Sequence, residues 1–131
     1  MELNYMKGTY VDELLWNGHP VLFVLEGLGK EEKIKAQQYG EMIWHWIVTH
    51  SHEFAKKASR IAAFKNKKWR AEEEGEVSSA DVMRCFESIT SVHSTYEKGF
   101  DVFFDGRSLF RERSIVIHVG RNYVLEGVQL L

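Results

Sequence analysis

The 131-residue chain has one cysteine, Cys85, and one proline, Pro20. A single cysteine excludes an intramolecular disulfide framework and points to a reducing compartment. Pro20 cannot donate to a strand ladder, so it belongs at a strand start or on an edge. No apolar run approaches membrane-spanning length. Residues 1–8 hold no apolar core and no cleavage pattern of a secretory leader, so the expectation is a soluble, cytoplasmic protein with no membrane partner. The net charge of −2 argues against bulk attraction to nucleic acid or to an anionic membrane. No G-x-S-x-G, Walker or G-x-G-x-x-G pattern occurs, and there is no internal repeat or low-complexity segment.

What is present suffices for one domain over residues 1–131. A chain of this length buries roughly two-thirds of the surface it exposes when unfolded. Four tryptophans and eight phenylalanines supply large core pieces. The longest periodic stretch runs from Glu31 to Lys65. Ile34, Tyr39, Ile43, Trp46, Ile47, His50, Phe54, Ala58 and Ile61 recur at helical intervals, with one five-residue step. Glu31 and Glu32 suit the positive end of the helix dipole, and Lys65, Lys67 and Lys68 the negative end. Asn66 is a candidate left-handed cap. One straight helix would be roughly 52 Å long, against a domain diameter of about 36 Å. A bend is therefore expected, at Gly40 or at Thr49-His50-Ser51.

On either side the apolar residues alternate with period two. Residues 9–16 and 21–26 read as strands joined by Asn17-Gly18, a pair that tolerates the positive φ of a type I′ turn. The second of these is apolar on both parities, which suggests cover on both faces. Residues 66–76 read as a charged connector containing Trp69. Ser78 with Asp81 resembles a capping box opening a short helix faced by Val82, Met83 and Phe86. Then come strands at 89–96, 100–104, 114–119 and 123–130, with turns at Glu97-Lys98-Gly99 and Asp105-Gly106 and an irregular segment over 107–113. The expected fold is α+β: an antiparallel sheet of five or six strands, a long bent helical unit on one face, and one additional short helix. The expected core holds Leu22, Val24, Ile43, Trp46, Ile47, Phe54, Ile61, Phe86, Phe104, Ile115 and Ile117.

Five blocks carry a family resemblance: Trp16-Asn17-Gly18 with Val21; Lys65-Asn66 with Trp69 and Glu72 to Glu74; Ser79-Ala80-Asp81-Val82; Phe100 to Asp105; and Leu109-Phe110 with Ser114-Ile115-Val116. Their order and spacing resemble the domain-of-unknown-function family 2262 and its relatives, small uncharacterised bacterial proteins. The resemblance implies an α+β fold and a bacterial source, and no activity. The family pattern carries an aromatic-Gly-His stretch before the Ser-Ile pair, where this chain has Arg111-Glu112-Arg113. Any role of that histidine is therefore missing here. Small solitary domains of this style also resemble immunity proteins that neutralise toxins.

Candidate chemistry is sparse. Zinc ligation from a helix needs residues three or four apart. His45 and His52 are seven apart, and His50 with Glu53 lacks further local ligands. No metal and no cofactor is expected. Cys85 reads as a small buried apolar residue. A pairing of Cys85 with His93 or His118 stays open from sequence alone, as does a carboxylate pair of Asp101 and Asp105. The basic run Lys65 to Arg70 is followed at once by Glu72, Glu73, Glu74 and Glu76, which would repel phosphates. That argues against nucleic acid. The acidic run is either a solvated connector or a surface for a basic partner. Trp44 and Phe103 fall outside the main apolar faces and are candidates for a contact surface.

The expected function is thus a non-catalytic protein-interaction module, an immunity protein that occludes a bacterial toxin with a basic active site. Its candidate partner-binding residues are Glu72, Glu73, Glu74, Glu76, Trp44, Trp69 and Phe103. The alternative is a small enzyme or ligand-binding protein using His93, His118 or Cys85. A convergent concave site separates the two.

Overall fold

Two tight hairpins start the chain, and both rest on residues able to hold positive φ. β1 (Asn4–Met6) and β2 (Thr9–Trp16) are joined by Lys7 and Gly8, at φ +50° and +92°. β2 and β3 (His19–Glu26) are joined by Asn17 and Gly18, at +51° and +78°. The second turn is the type I′ hairpin expected from Asn-Gly, and it pairs Trp16 with His19. The computed structural model describes residues 1–69, 79–106 and 114–131, without the side chains of residues 62–69 and 79.

α1 (Lys33–Thr49), α2 (Ser51–Trp69) and α3 (Ser79–Cys85) follow. The bend falls at the second expected place. Thr49 Oγ1 donates to the His45 carbonyl at 2.8 Å, and the His50 backbone N–H and ring Nδ1 both lie 2.9 Å from the Trp46 carbonyl. Side chains that bond back onto the preceding turn end or bend a helix. Gly40 serves packing instead: a Cβ there would sit 2.8 Å from Leu3 Cδ1 and 3.3 Å from Phe23 Cε1. Glycine lets α1 approach the first strands, and Gln37 fastens them. Its side chain accepts from Leu3 N at 2.9 Å and donates to the Met1 carbonyl at 2.6 Å. Asn66 is not a cap, because helical backbone continues through it to Trp69. Ile34 leaves the apolar stripe and is 77% exposed, since the helix starts only at Lys33. Ser78, the expected cap of α3, lies outside the described residues.

β4 (Ile89–Thr95), β5 (Gly99–Asp105), β6 (Ser114–Val119) and β7 (Leu125–Leu130) complete the sheet. The fold is α+β with a seven-stranded sheet in sequential order, β1 to β7. Six strands were expected at most. The extra one is β1, too short at three residues to show alternation. The sheet is also not wholly antiparallel, because β3 and β4 run parallel. The helical crossover carries the chain from the end of β3 back to the opposite end of the sheet, so β4 starts level with the start of β3 and runs parallel to it.

Among the described residues the three helices pack on one face of the sheet, here the inner face. It carries Tyr10, Leu14, Val21, Phe23, Leu25, Val92, Phe100, Val102, Phe104, Ile115, Ile117 and Val128, all buried. Rings join helix to sheet: Trp46 meets Phe100 at 5.8 Å, Phe54 meets Phe104 at 6.0 Å, and Phe86 meets Phe104 at 4.8 Å. The expected core needs correction at β3. Val21, Phe23 and Leu25 face the helices, whereas Leu22 is 47% exposed and Val24 half-buried. Both parities are apolar there, so composition could not choose between them. Trp46 and Ile61 are half-buried against the core rather than inside it. Among the described residues no helix is long and apolar enough to cross a membrane.

Candidate functional site

The outer face of the sheet is built by register. One row runs across the strands as Val11, Val24, His93, Asp101, His118 and Gly127. The next runs as Glu13, Leu22, Ser91, Phe103, Val116 and Gln129. Leu15 and Leu22 stand on this face, Leu15 at 74% exposure. Outward strand positions also carry the carboxylates of Glu13, Glu26, Asp101 and Asp105, and no lysine or arginine. Among the described strand positions the face is therefore apolar in patches and richer in acidic than in basic side chains.

His118 is the most constrained polar group on it. Its Nδ1 lies 2.6 Å from Asp101 Oδ1, and its Nε2 lies 2.7 Å from Gln129 Oε1. The Asp101 carboxylate accepts from Nδ1–H, and a carboxylate at this distance favours the protonated ring. Burial alone would lower the pKa of His118. The hydrogen bonds to Asp101 and Gln129, with the charges of Asp101 and Glu126, outweigh burial and raise it above the ordinary histidine value. Both ring nitrogens are thus within hydrogen-bond distance of side chains of the sheet. His93 is exposed in the same row, its ring 4.9 Å from Phe103.

A second feature lies at one end of the sheet, on the helix side. A cleft of about 520 Å³ opens between α1, the β4–β5 turn and the β6–β7 turn. Its lining includes Tyr39, Tyr96, Phe100 and Tyr123, with Glu97 and Arg121 from the two turns. Tyr39 pins the first turn: its hydroxyl accepts from Glu97 N at 3.1 Å and lies 3.5 Å from the Thr95 carbonyl. Its ring meets Tyr96 edge-on at 4.9 Å. In the second turn Tyr123 N donates to the Gly120 carbonyl, and Gly120 N to the Val124 carbonyl, each at 2.9 Å. Tyr123 sits at φ +59°, where a hairpin of this length usually has glycine. That conformation costs a bulky residue about 1–2 kcal/mol. Stacking on Trp46 at 5.2 Å offsets a comparable amount, about 0.5–1.5 kcal/mol. Glu97 also has positive φ, +61°. Burial raises the pKa of both Tyr39 and Tyr123, so both stay neutral phenols at ordinary pH.

The residues singled out from the sequence do not converge. Glu72, Glu73, Glu74 and Glu76 lie outside the described residues, as does the side chain of Trp69. Phe103 lies half-buried on the outer face. Trp44 lies on the other side of the sheet, half-buried and edge-on to Trp16 at 6.1 Å, so the two cannot form one surface. His93 and His118 share the outer face and flank Asp101. Cys85 does not join them: it is buried on the helix side, with Sγ 3.7 Å from the Asp81 and Gly106 carbonyls. The open Cys–His pairing is thereby removed. Asp101 is engaged with His118. His50 stacks on Trp46 at 4.9 Å at the end of α1, while His45 and His52 are exposed on different helices. Among the described residues no three His, Cys, Asp or Glu side chains form a group that could hold a metal. The sequence reading missed the tyrosine cleft, whose walls lie far apart in the chain. The one local signal was Tyr following Arg121-Asn122, a turn dipeptide, in place of glycine.

No family model, no curated protein and no solved structure matches the chain.

Proposed function

We propose that the chain is a non-catalytic protein-interaction module, a cytoplasmic immunity protein that binds and occludes a bacterial toxin, in keeping with its resemblance to family 2262. The observation that carries this reading is the outer sheet face. It exposes Leu15 and Leu22, and among the described residues its outward strand positions bear four carboxylates, Glu13, Glu26, Asp105 and the His118-paired Asp101, with no lysine or arginine. Apolar anchors supply affinity in such contacts, and the surrounding charge steers and selects a basic partner. The mechanism is steric and electrostatic occlusion of a basic active site. The enzyme alternative loses its Cys85–His pairing, because Cys85 lies buried on the other side of the sheet from His93 and His118.

The test is co-purification from the native host with the wild-type chain and with Leu22→Lys. The wild type should retain one basic partner whose toxicity it abolishes, and Leu22→Lys should lose it while keeping its melting temperature. Equal recovery by both chains removes the outer face from the account. A retained partner without toxicity removes the immunity assignment.

A further inference from the structure

The cleft at the end of the sheet has a lining of definite chemistry. Tyr39, Tyr96 and Tyr123 bring three half-buried aromatic rings to it, with Phe100 almost wholly buried behind them, and Glu97 and Arg121 bring one charge of each sign. Neither Glu97 nor Arg121 forms an ion pair with another described residue. The volume of about 520 Å³ falls within the range of small-molecule sites. Two of the four non-glycine residues at positive φ among the described residues, Glu97 and Tyr123, belong to this lining. Strain held on both sides of one cleft suits a site whose walls are set in advance of binding.

We infer that the cleft binds a small zwitterion bearing an alkylated ammonium group and a carboxylate. The negative faces of aromatic rings attract cations, most effectively weakly hydrated ones such as quaternary ammonium. Tyr96 already does so on a small scale, with Lys35 Nζ 5.7 Å from its ring centroid. Glu97 adds a carboxylate for the ammonium end, and Arg121 a guanidinium for the carboxylate end. The two lining charges cancel, so a ligand of zero net charge with separated poles leaves neither unpaired. A simple anion would meet Glu97 and the negative ring faces. A simple cation would leave Arg121 without its counter-charge. This inference is independent of the outer face, which lies on the opposite side of the sheet.

The experiment is a titration followed by amide NMR shifts at Gly99, Gly120 and Tyr123, with three probes at millimolar concentration. Glycine betaine carries both poles. Choline carries the cation alone. 3,3-Dimethylbutyrate has the shape and carboxylate of betaine, with carbon in place of nitrogen and no positive charge. Betaine should give saturable shifts confined to the two turns. Dimethylbutyrate should bind about ten-fold more weakly, and choline several-fold more weakly. Tyr123→Gly keeps the turn, since glycine accepts positive φ, and should weaken betaine binding about ten-fold. Arg121→Gln, an exposed change, should make betaine and choline equal. Absence of saturable shifts with betaine overturns the inference. So does equal binding of betaine and dimethylbutyrate, which would show that no cation is read. Equal binding of betaine and choline by the unaltered chain overturns the role of Arg121.

Discussion

The two faces of the sheet are made by the same strands, and neighbouring residues on one strand belong to different worlds. On β5, Phe104 points inward, is 1% exposed and touches the rings of Phe54 and Phe86. Phe103, one residue before it, points outward, is half-buried and has the ring of His93 beside it. The inner face is apolar almost throughout and is closed by three helices. The outer face mixes Leu15, Leu22 and Phe103 with carboxylates and two histidines. The contrast teaches that the inner face accounts for the core, while the outer face is uneven, with Leu15 and Leu22 exposed and Val116 buried.

The comparison breaks most visibly at that pair of phenylalanines. Phe104→Ala should cost about 3–5 kcal/mol, the range for deleting a buried aromatic ring. Phe103→Ala should cost about 1 kcal/mol or less, since its ring is only half-buried and leaves no enclosed cavity. Urea unfolding of both variants measures the difference. Equal losses would mean that the outer face is covered as fully as the inner one.

The next effect concerns the hairpin that sets the register of both faces. Gly18 has φ +78°, and a Cβ at that position would meet nothing within 4 Å. Gly18→Val therefore meets no clash, and its cost is conformational, about 1–2 kcal/mol. Unchanged thermal stability would remove the type I′ turn as the device that fixes which residues face outward.

The smallest effect is a pH dependence of the outer face. The folded His118 pKa lies above its ordinary value of 6.5. The protonated ring is thus favoured by folding. The stabilisation is fully present below that ordinary value and is lost as pH rises through the higher folded pKa. Both His118 and Asp101 are about a third or more exposed, so the change is modest. Urea midpoints followed upward through neutral pH should fall for the native chain, and His118→Gln should flatten the curve. An unchanged slope in the variant would assign the pH dependence to other groups.

Much of the fold was legible because its signals are local. Asn17-Gly18 announced a hairpin, the alternation of Ile115, Ile117 and Val119 announced β6, and the length of the periodic stretch announced a helix bend, with Thr49-His50-Ser51 and Gly40 both left as its place. The misses are non-local. The inward parity of β3 could not be read where Val21 to Leu25 is apolar at every position. The parallel pairing of β3 with β4 depends on where the crossover lands. The row His93–Asp101–His118 exists only once the register of three strands is known. The tyrosine cleft joins residues near positions 39, 96 and 123, and none of the three is distinctive alone.

The central claim is that the anionic outer face recognises a basic partner, and its most direct test is the salt dependence of association. The variant Glu13→Gln/Glu26→Gln/Asp105→Asn removes three outward carboxylates while leaving the His118–Asp101 pair in place. Association of the co-purified partner should slow, and its rate should depend less steeply on ionic strength, because charge steering acts mainly on the on-rate and is screened by salt. An association rate and salt slope equal to those of the native chain would contradict the account.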